Sequence, residues 1–135
     1  EKDVVYIPTQ TACQYVVDHS KTTDGIVVLC TSNWFGFHAV NFYLHQLDPS
    51  RDARRYPEEA VDDFNMIFDV EVLNQLCVTY QVKYLLLYEN TPFLQEPLLT
   101  VPIVLTTLME THKFVLEEEV GSPPHRLFII RAILG

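Results

Sequence analysis

Residues 25–44 decide the fold class; they read Gly25-Ile-Val-Val-Leu-Cys-Thr-Ser-Asn-Trp-Phe-Gly-Phe-His-Ala-Val-Asn-Phe-Tyr-Leu44. An apolar run over residues 26–30 is followed by small polar residues at 31–33 and then by an aromatic segment with helical spacing. This order is typical of a buried parallel strand that leads into a crossover helix. It predicts an α/β domain organised around this strand-to-helix junction.

The remaining pattern predicts an alternation of helices and strands. Residues 10–20 have helical spacing after Pro8 and Thr9, and Thr9 is the expected N-cap. Helices are also predicted at 34–47, 70–80 and 102–110, strands at 82–88, 114–120 and 127–133, and a loop with a short strand near Arg55 and Tyr56 at 51–69. The last two strands flank a tight turn and predict an antiparallel hairpin. We therefore expect residues 1–135 to form one small Rossmann-like three-layer α/β domain, with a mixed, mostly parallel sheet.

Composition limits the possible partners. The 135 residues are 48% hydrophobic and 20% charged, which is the globular range, and the net charge is −9. A nucleic-acid partner is not expected, because phosphate binding requires clustered Lys and Arg and the chain has nine in all. Arg51, Arg54 and Arg55 stand beside an acidic run at 58–63, and we expect a solvated ion-pair face there.

Polar residues follow the two predicted parallel strands where those strands end. Ser32, Asn33 and Trp34 follow the first strand, and Glu89 and Asn90 follow the second. Ligands of open α/β sheets gather beyond the carboxyl ends of the strands, so these five residues are the predicted ligand site. Ser, Thr and Asn at a strand-to-helix junction are also the ordinary N-caps of the next helix, and for Ser32 or Asn33 capping is the favoured interpretation over a ligand role.

Sequence motifs for catalysis or cofactor binding are absent. A dinucleotide or P-loop site requires a glycine-rich turn, but only Gly36 follows the first strand. Position 36 also lacks the arginine that a phosphatase-type loop starting at Cys30 would require, and no Gly-x-Ser-x-Gly occurs. We therefore predict no catalytic residue and no cofactor.

Metal ligands and paired carboxylates are not expected either. His38 and His45 lie about 10 Å apart on one helix, too far for one ion. Cys13, Cys30 and Cys77 form no CxxC pair and are predicted to be buried free thiols. In the run 117–119 only Glu117 and Glu119 can share a strand face, and a solvated edge strand is the simpler interpretation.

Several segments resemble the soluble C-terminal domain of multi-spanning lipid-linked sugar transferases of the dolichyl-phosphate-mannose and aminoarabinose type. The resemblance is carried by a helix before a hydrophobic strand, an aromatic helix, a strand beginning Val-Lys-Tyr-Leu and a closing hairpin. The residues concerned are 12–19 with 25–29, 39–44, 82–87, and 114–116 with 126–131. The catalytic carboxylates of such transferases lie between membrane helices, so the resemblance assigns no catalytic residue to this chain.

The resemblance implies a non-catalytic domain on the extracytoplasmic side of a membrane, which contacts the spanning part of its parent chain and helps to bind a glycan or protein acceptor. The start at Glu1 and the end at Gly135, directly after an apolar strand, fit a piece excised from a longer membrane protein. None of its own apolar runs approaches the roughly 20 residues that span a bilayer. The alternatives are a free-standing α/β enzyme or binding module with a polar ligand near Asn33 and Asn90, and an interaction module of a larger assembly.

Overall fold

The computed structural model describes residues 3–29, 34–56, 68–91 and 100–133, leaving aside the side chains of residues 3–5, 34 and 35. These residues form an α/β domain in which helices precede and follow the strands of one mixed sheet. In chain order the elements are α1 (Asp3–Asp18), β1 (Gly25–Leu29), α2 (Trp34–Leu47), β2 (Arg54–Tyr56), α3 (Val70–Thr79), β3 (Val82–Tyr88), α4 (Val101–Glu110), β4 (Phe114–Val120) and β5 (Leu127–Ala132). The predicted fold class is confirmed at this level.

The sheet has the strand order β2-β1-β3-β5-β4. Strand β1 runs parallel to both β2 and β3, with Val28 opposite Arg55 on one side and Leu86 on the other. Strand β5 runs antiparallel to both β3 and β4. The predicted strands at 82–88 and 114–120, the short strand near Arg55 and Tyr56, and the C-terminal hairpin are therefore confirmed.

Helices contribute to the apolar clusters on both faces of the sheet. Because successive strand residues point to opposite faces, Val27 and Leu29 belong to one cluster, and Ile26 and Val28 belong to the other. Helices α3 and α4 complete the cluster of Val27, whereas α1 and α2 complete that of Ile26. Burial on both faces explains why β1 and β3 are apolar almost throughout.

Helix α1 begins earlier than its sequence predicts. It starts at Asp3 and carries Pro8 inside, so the prediction that Thr9 is the N-cap is wrong. Thr9 is fully buried in the helix, where its hydroxyl faces Tyr88 rather than a helix terminus. Packing of this turn outweighs the helical hydrogen bond that Pro8 cannot donate. The starts of α3 and α4 follow ordinary rules: Asp69 caps α3 through the amides of Glu71 and Val72, and α4 has Pro in its first turn.

The segment directly before β2 forms hydrogen bonds with α2 and with the turn between α1 and β1. Arg51 is only 4% exposed and donates to Ser20 Oγ at 2.9 Å and to the Asp24 carbonyl at 3.0 Å. The side chain of Asn41 on α2 accepts from the amide of Ala53 at 2.7 Å. The predicted solvated face is therefore wrong for Arg51, which is a buried anchor of the turn between α1 and β1. The acidic residues at 58–63 lie outside the described residues.

The guanidinium groups of the next two arginines pack on aromatic rings. Arg54 lies 3.3 Å from the centre of the Tyr80 ring, and Arg55 lies 5.7 Å from that of Phe37. Because Arg54 and Arg55 are neighbours on β2, these contacts fall on opposite faces of the sheet. In the part of the chain that is described, no helix is long and apolar enough to cross a membrane.

Candidate functional site

The carboxyl edge between β1 and β3 is the topological switch point of the sheet. Strand β1 leads to α2 on one face, and β3 precedes α4 on the other. Open α/β sheets bind ligands at such a point, because the diverging connections leave a crevice. Glu89 and Asn90 directly follow β3 at this edge, so the topology makes it the first place to examine.

Tyr88 fills the described part of this edge on the α1–α2 side. The side chain is 9% exposed and its hydroxyl lies 2.6 Å from Oγ1 of Thr9. A methyl group at Gly36, in the first turn of α2, would lie 2.7 Å from Cε2 of the Tyr88 ring. The absence of a side chain at Gly36 therefore lets α2 approach the ring, and the three residues close the gap between both helices and the end of β3.

Glu89 forms a bidentate ion pair with Arg126, the residue directly before β5. Arg126 donates from Nη2 to Oε2 at 2.6 Å, and from Nε and its backbone amide to Oε1 at 2.9 and 3.0 Å. Its Nη1 donates to Glu119 at 2.7 Å. The hydrogen bonds from Arg126 lower the pKa of Glu89 to about 2, and the same pair raises the pKa of Arg126. The Glu89 carboxylate therefore joins β3 to the hairpin.

The other predicted site residues are less informative. Asn90 is exposed, in a turn closed by the Thr91 amide and the Tyr88 carbonyl at 3.0 Å. Trp34 is the first residue of α2, and Ser32, Asn33 and the Trp34 side chain lie outside the described residues. The ligand site and the capping alternative therefore both stay predictions.

A polar cluster around Glu117 is not evident from the sequence. A bulge between Leu116 and Glu118 interrupts the register of β4 at Glu117. The carboxylate of Glu117 accepts hydrogen bonds from Tyr15 Oη at 2.6 Å, from Tyr84 Oη at 2.7 Å and from Arg131 Nε at 2.7 Å. Because a bulge redirects side chains, one carboxylate joins α1, β3 and β5.

The charges in this cluster are balanced. Its hydrogen bonds lower the pKa of Glu117 against the opposing effect of desolvation. The hydrogen bond to the carboxylate raises the pKa of Tyr15 to about 12, and burial followed by the same contact raises the pKa of Tyr84. The predicted solvated edge is therefore wrong for Glu117. No sequence pattern predicts this cluster, because Tyr15 and Glu117 are 102 residues apart in the chain.

The thiols lack the environment of a nucleophile. Cys13 and Cys77 are free and buried, as predicted, and burial raises the pKa of each to about 12. A thiolate nucleophile requires the opposite shift. Cys30 lies outside the described residues.

His19 and His45 are exposed and lie on different elements. His45 Nε2 lies 2.6 Å from Asp52 Oδ1, and the ring of His19 stacks on Tyr15 at 4.0 Å between centres. Residues 3–29, 34–56, 68–91 and 100–133 contain no group of three or more His, Cys, Asp or Glu side chains that could hold a metal ion.

Comparisons with protein-family models, with curated proteins and with solved structures gave no match.

Proposed function

We propose that this chain is the non-catalytic, Rossmann-like soluble domain of a membrane-embedded transferase that uses lipid-linked sugars, and that it helps to bind the acceptor. The observation that carries this proposal is the agreement between the resemblance and the order of elements. Residues 12–18 lie in α1, 25–29 form β1, 39–44 lie in α2, 82–87 lie in β3, and 114–116 and 127–131 lie in the paired strands of the hairpin. Each segment that carries the resemblance thus has the secondary structure that it requires.

The polar clusters give a second line of support. Glu89 is paired with Arg126, and Glu117 is held by Arg131 and two tyrosines. A general acid or base has a pKa moved toward neutral pH, whereas the pKa of both carboxylates is lowered. These groups are suited to holding elements together, which agrees with a domain whose catalytic partner lies elsewhere.

The test begins with the gene. The reading frame upstream of the codon for Glu1 should encode several segments of about 20 apolar residues. The whole gene product should then sediment with membranes, resist extraction with alkaline carbonate and transfer sugar from a polyprenyl-phosphate donor. A whole gene product that stays in the supernatant would overturn the proposal.

A matched comparison tests the proposal that this domain is non-catalytic. The 135-residue chain alone should give no transfer above a boiled sample, and the Glu89→Gln and Glu117→Gln variants of the whole protein should keep their turnover once they are folded. Loss of turnover in either folded variant, with membrane attachment unchanged, would contradict the assignment of these carboxylates to structure.

A further inference from the structure

Helices α1 and α2 each contain a long stretch without a formally charged residue. Residues 4–17 and 34–47 contain no Asp, Glu, Lys or Arg, although the chain holds 27 such residues. Apolar side chains are nevertheless exposed there: Ile7 is 53% exposed and Phe42 is 58% exposed. The net charge of the chain is −9, but these two stretches carry none of its formal charges. Because they offer no charge to an ionic partner, this surface is suited to a neutral one.

A small cavity of about 140 Å³ lies between these helices. It is lined by Gln10 and Gln14 from α1 and by Tyr43, Gln46 and Leu47 from α2. The spacing of four residues places the first two amides on one helix face, and the spacing of three and four places the other side chains on one face of α2. The two helices thus present three amides and one phenol to the same space.

A second cavity, of about 440 Å³, lies on the other flank of α1 and shares Gln10 and Gln14 with the first. It also contains Tyr15, whose ring stacks on His19, and Asp18, which accepts a hydrogen bond from Gln14 Nε2 at 2.9 Å. Gln10 and Gln14 form a ridge between the two cavities, and the hydrogen bond to Asp18 orients the side-chain amide of Gln14 on this ridge. A ligand in the small cavity therefore has room to extend across this ridge.

The lining of the small cavity restricts the ligand by its chemistry. A charged ligand would find no opposite charge among the five lining residues. A purely apolar ligand would cover three amide groups and remove their hydrogen bonds with water, which is unfavourable. The amides of Gln10 and Gln46 can each offer two N–H donors and an acceptor, Gln14 keeps one N–H donor and its acceptor beside the bond to Asp18, and the Tyr43 ring offers an apolar face with a hydroxyl at its edge. Neutral polyhydroxylated rings, with hydroxyls at the rim and C–H groups on the faces, match this combination.

We propose that the small cavity between α1 and α2 binds one neutral sugar ring through Gln10, Gln14, Gln46 and Tyr43. This inference rests on the proposed function, because it identifies the glycan class of acceptor and the surface that receives it. The cavity is smaller than the roughly 300–1,000 Å³ of sites for drug-sized ligands, so a single ring is the unit recognised. A shallow site for one ring should bind with a dissociation constant on the order of 1 mM.

The test is a titration of the ¹⁵N-labelled 135-residue chain with methyl α-D-mannopyranoside and with methyl β-D-glucopyranoside, followed by NMR. At least one probe should give saturable shifts of the side-chain amide signals of Gln10, Gln14 and Gln46. The Gln10→Ala and Gln46→Leu variants should each weaken binding about tenfold, as expected when one or two ordinary hydrogen bonds are lost. Gln75→Leu, an exposed glutamine on α3, is the matched control and should leave binding unchanged.

Two outcomes would overturn the inference. One is the lack of saturable shifts with both probes, and the other is equal binding by the wild type and the Gln10 and Gln46 variants. Mannose 1-phosphate should bind no more tightly than the methyl glycoside, and preferential binding of the phosphate would reject the neutral class. Membrane fractionation of the whole gene product is independent of these titrations, so failure of the sugar site and failure of the proposed function are distinguishable.

Discussion

The hydroxyl of Thr9 on α1 lies 2.6 Å from the hydroxyl of Tyr88 at the end of β3. Both side chains are buried, and 79 residues separate them in the chain. The contact attaches the first helix to the central strand at the carboxyl edge of the sheet, beside the start of α2. This one hydrogen bond therefore links two elements, α1 and β3, that lie far apart in the sequence.

We expect Thr9→Val to lower the free energy of unfolding by about 1 kcal/mol, the ordinary net contribution of a hydrogen bond. Tyr88→Phe should have a similar effect, because either change removes the same contact while nearly preserving volume. Urea denaturation of the two single variants and the double variant forms a double-mutant cycle. Strictly additive effects would show that the two hydroxyls do not interact.

Gly36→Ala should destabilise the fold even though alanine is the better helix former. The gain in helix propensity is about 1 kcal/mol, whereas the new methyl group would lie 2.7 Å from the Tyr88 ring. Crowding of this kind typically costs about 1–3 kcal/mol, so the net change should be unfavourable. Urea denaturation measures it.

The control for Gly36→Ala is the same substitution in a Tyr88→Ala background. Without the ring the new methyl group finds space, and the gain in helix propensity should remain. Gly36→Ala should then be neutral or stabilising relative to Tyr88→Ala alone. Equal destabilisation in both backgrounds would mean that the ring is not what the methyl group meets.

Glu89→Gln should remove part of the acid sensitivity of the fold. The pKa of Glu89 falls from 4.5 to about 2 on folding, so the unfolded chain takes up this proton more readily. The resulting stabilisation is complete above pH 4.5 and is lost as the pH falls toward 2. The free energy of unfolding of the wild type should therefore exceed that of Glu89→Gln by the largest amount above pH 4.5, and this difference should shrink as the pH falls below 4.5.

Unfolding by urea at a series of pH values measures this difference. Glu118→Gln is the matched control, because it removes a carboxylate from an exposed residue of β4 and leaves the pair of Glu89 with Arg126 intact. A gap between wild type and Glu89→Gln that stays the same from pH 7 down to 2 would contradict the ion-pair assignment.

Cys13 and Cys77 should resist alkylation while the chain is folded. Burial raises the pKa of each thiol to about 12, and it also shields the sulfur from reagents. Iodoacetamide at pH 8 should label both residues only after denaturant is added, as peptide mass mapping would show. Labelling of either residue at the rate of a model thiol, without denaturant, would contradict the buried placement.

The apolar pattern was sufficient to predict the strands β1, β3, β4 and β5. Strand β3 at Val82–Tyr88 and strand β4 at Phe114–Val120 have the predicted limits, because burial on both faces or a turn on each side determines them locally. The start of α1 was missed because Pro8 and Thr9 form a typical helix-start pattern. Tertiary packing at Tyr88 overrides that pattern.

The polar clusters could not be predicted, because each is assembled from distant segments. Glu89 is an unremarkable residue after a strand until the hairpin brings Arg126 to it, 37 residues later. Glu117 is one of three consecutive glutamates in the sequence, and only the bulge, which directs it toward Tyr15 and Tyr84, distinguishes it from the other two. Sequence patterns indicate where a strand ends, but partners of this kind depend on tertiary packing and register.

The bulge in β4 has a consequence for behaviour at high concentration. In the described part of the chain β4 is the last strand of the sheet, and such an edge can recruit strands from other molecules. The bulge at Glu117 breaks the regular spacing of its backbone, and the exposed carboxylates of Glu118 and Glu119 would repel an identical edge. The residue that fastens α1 to the hairpin thereby also makes this edge a poor template for aggregation.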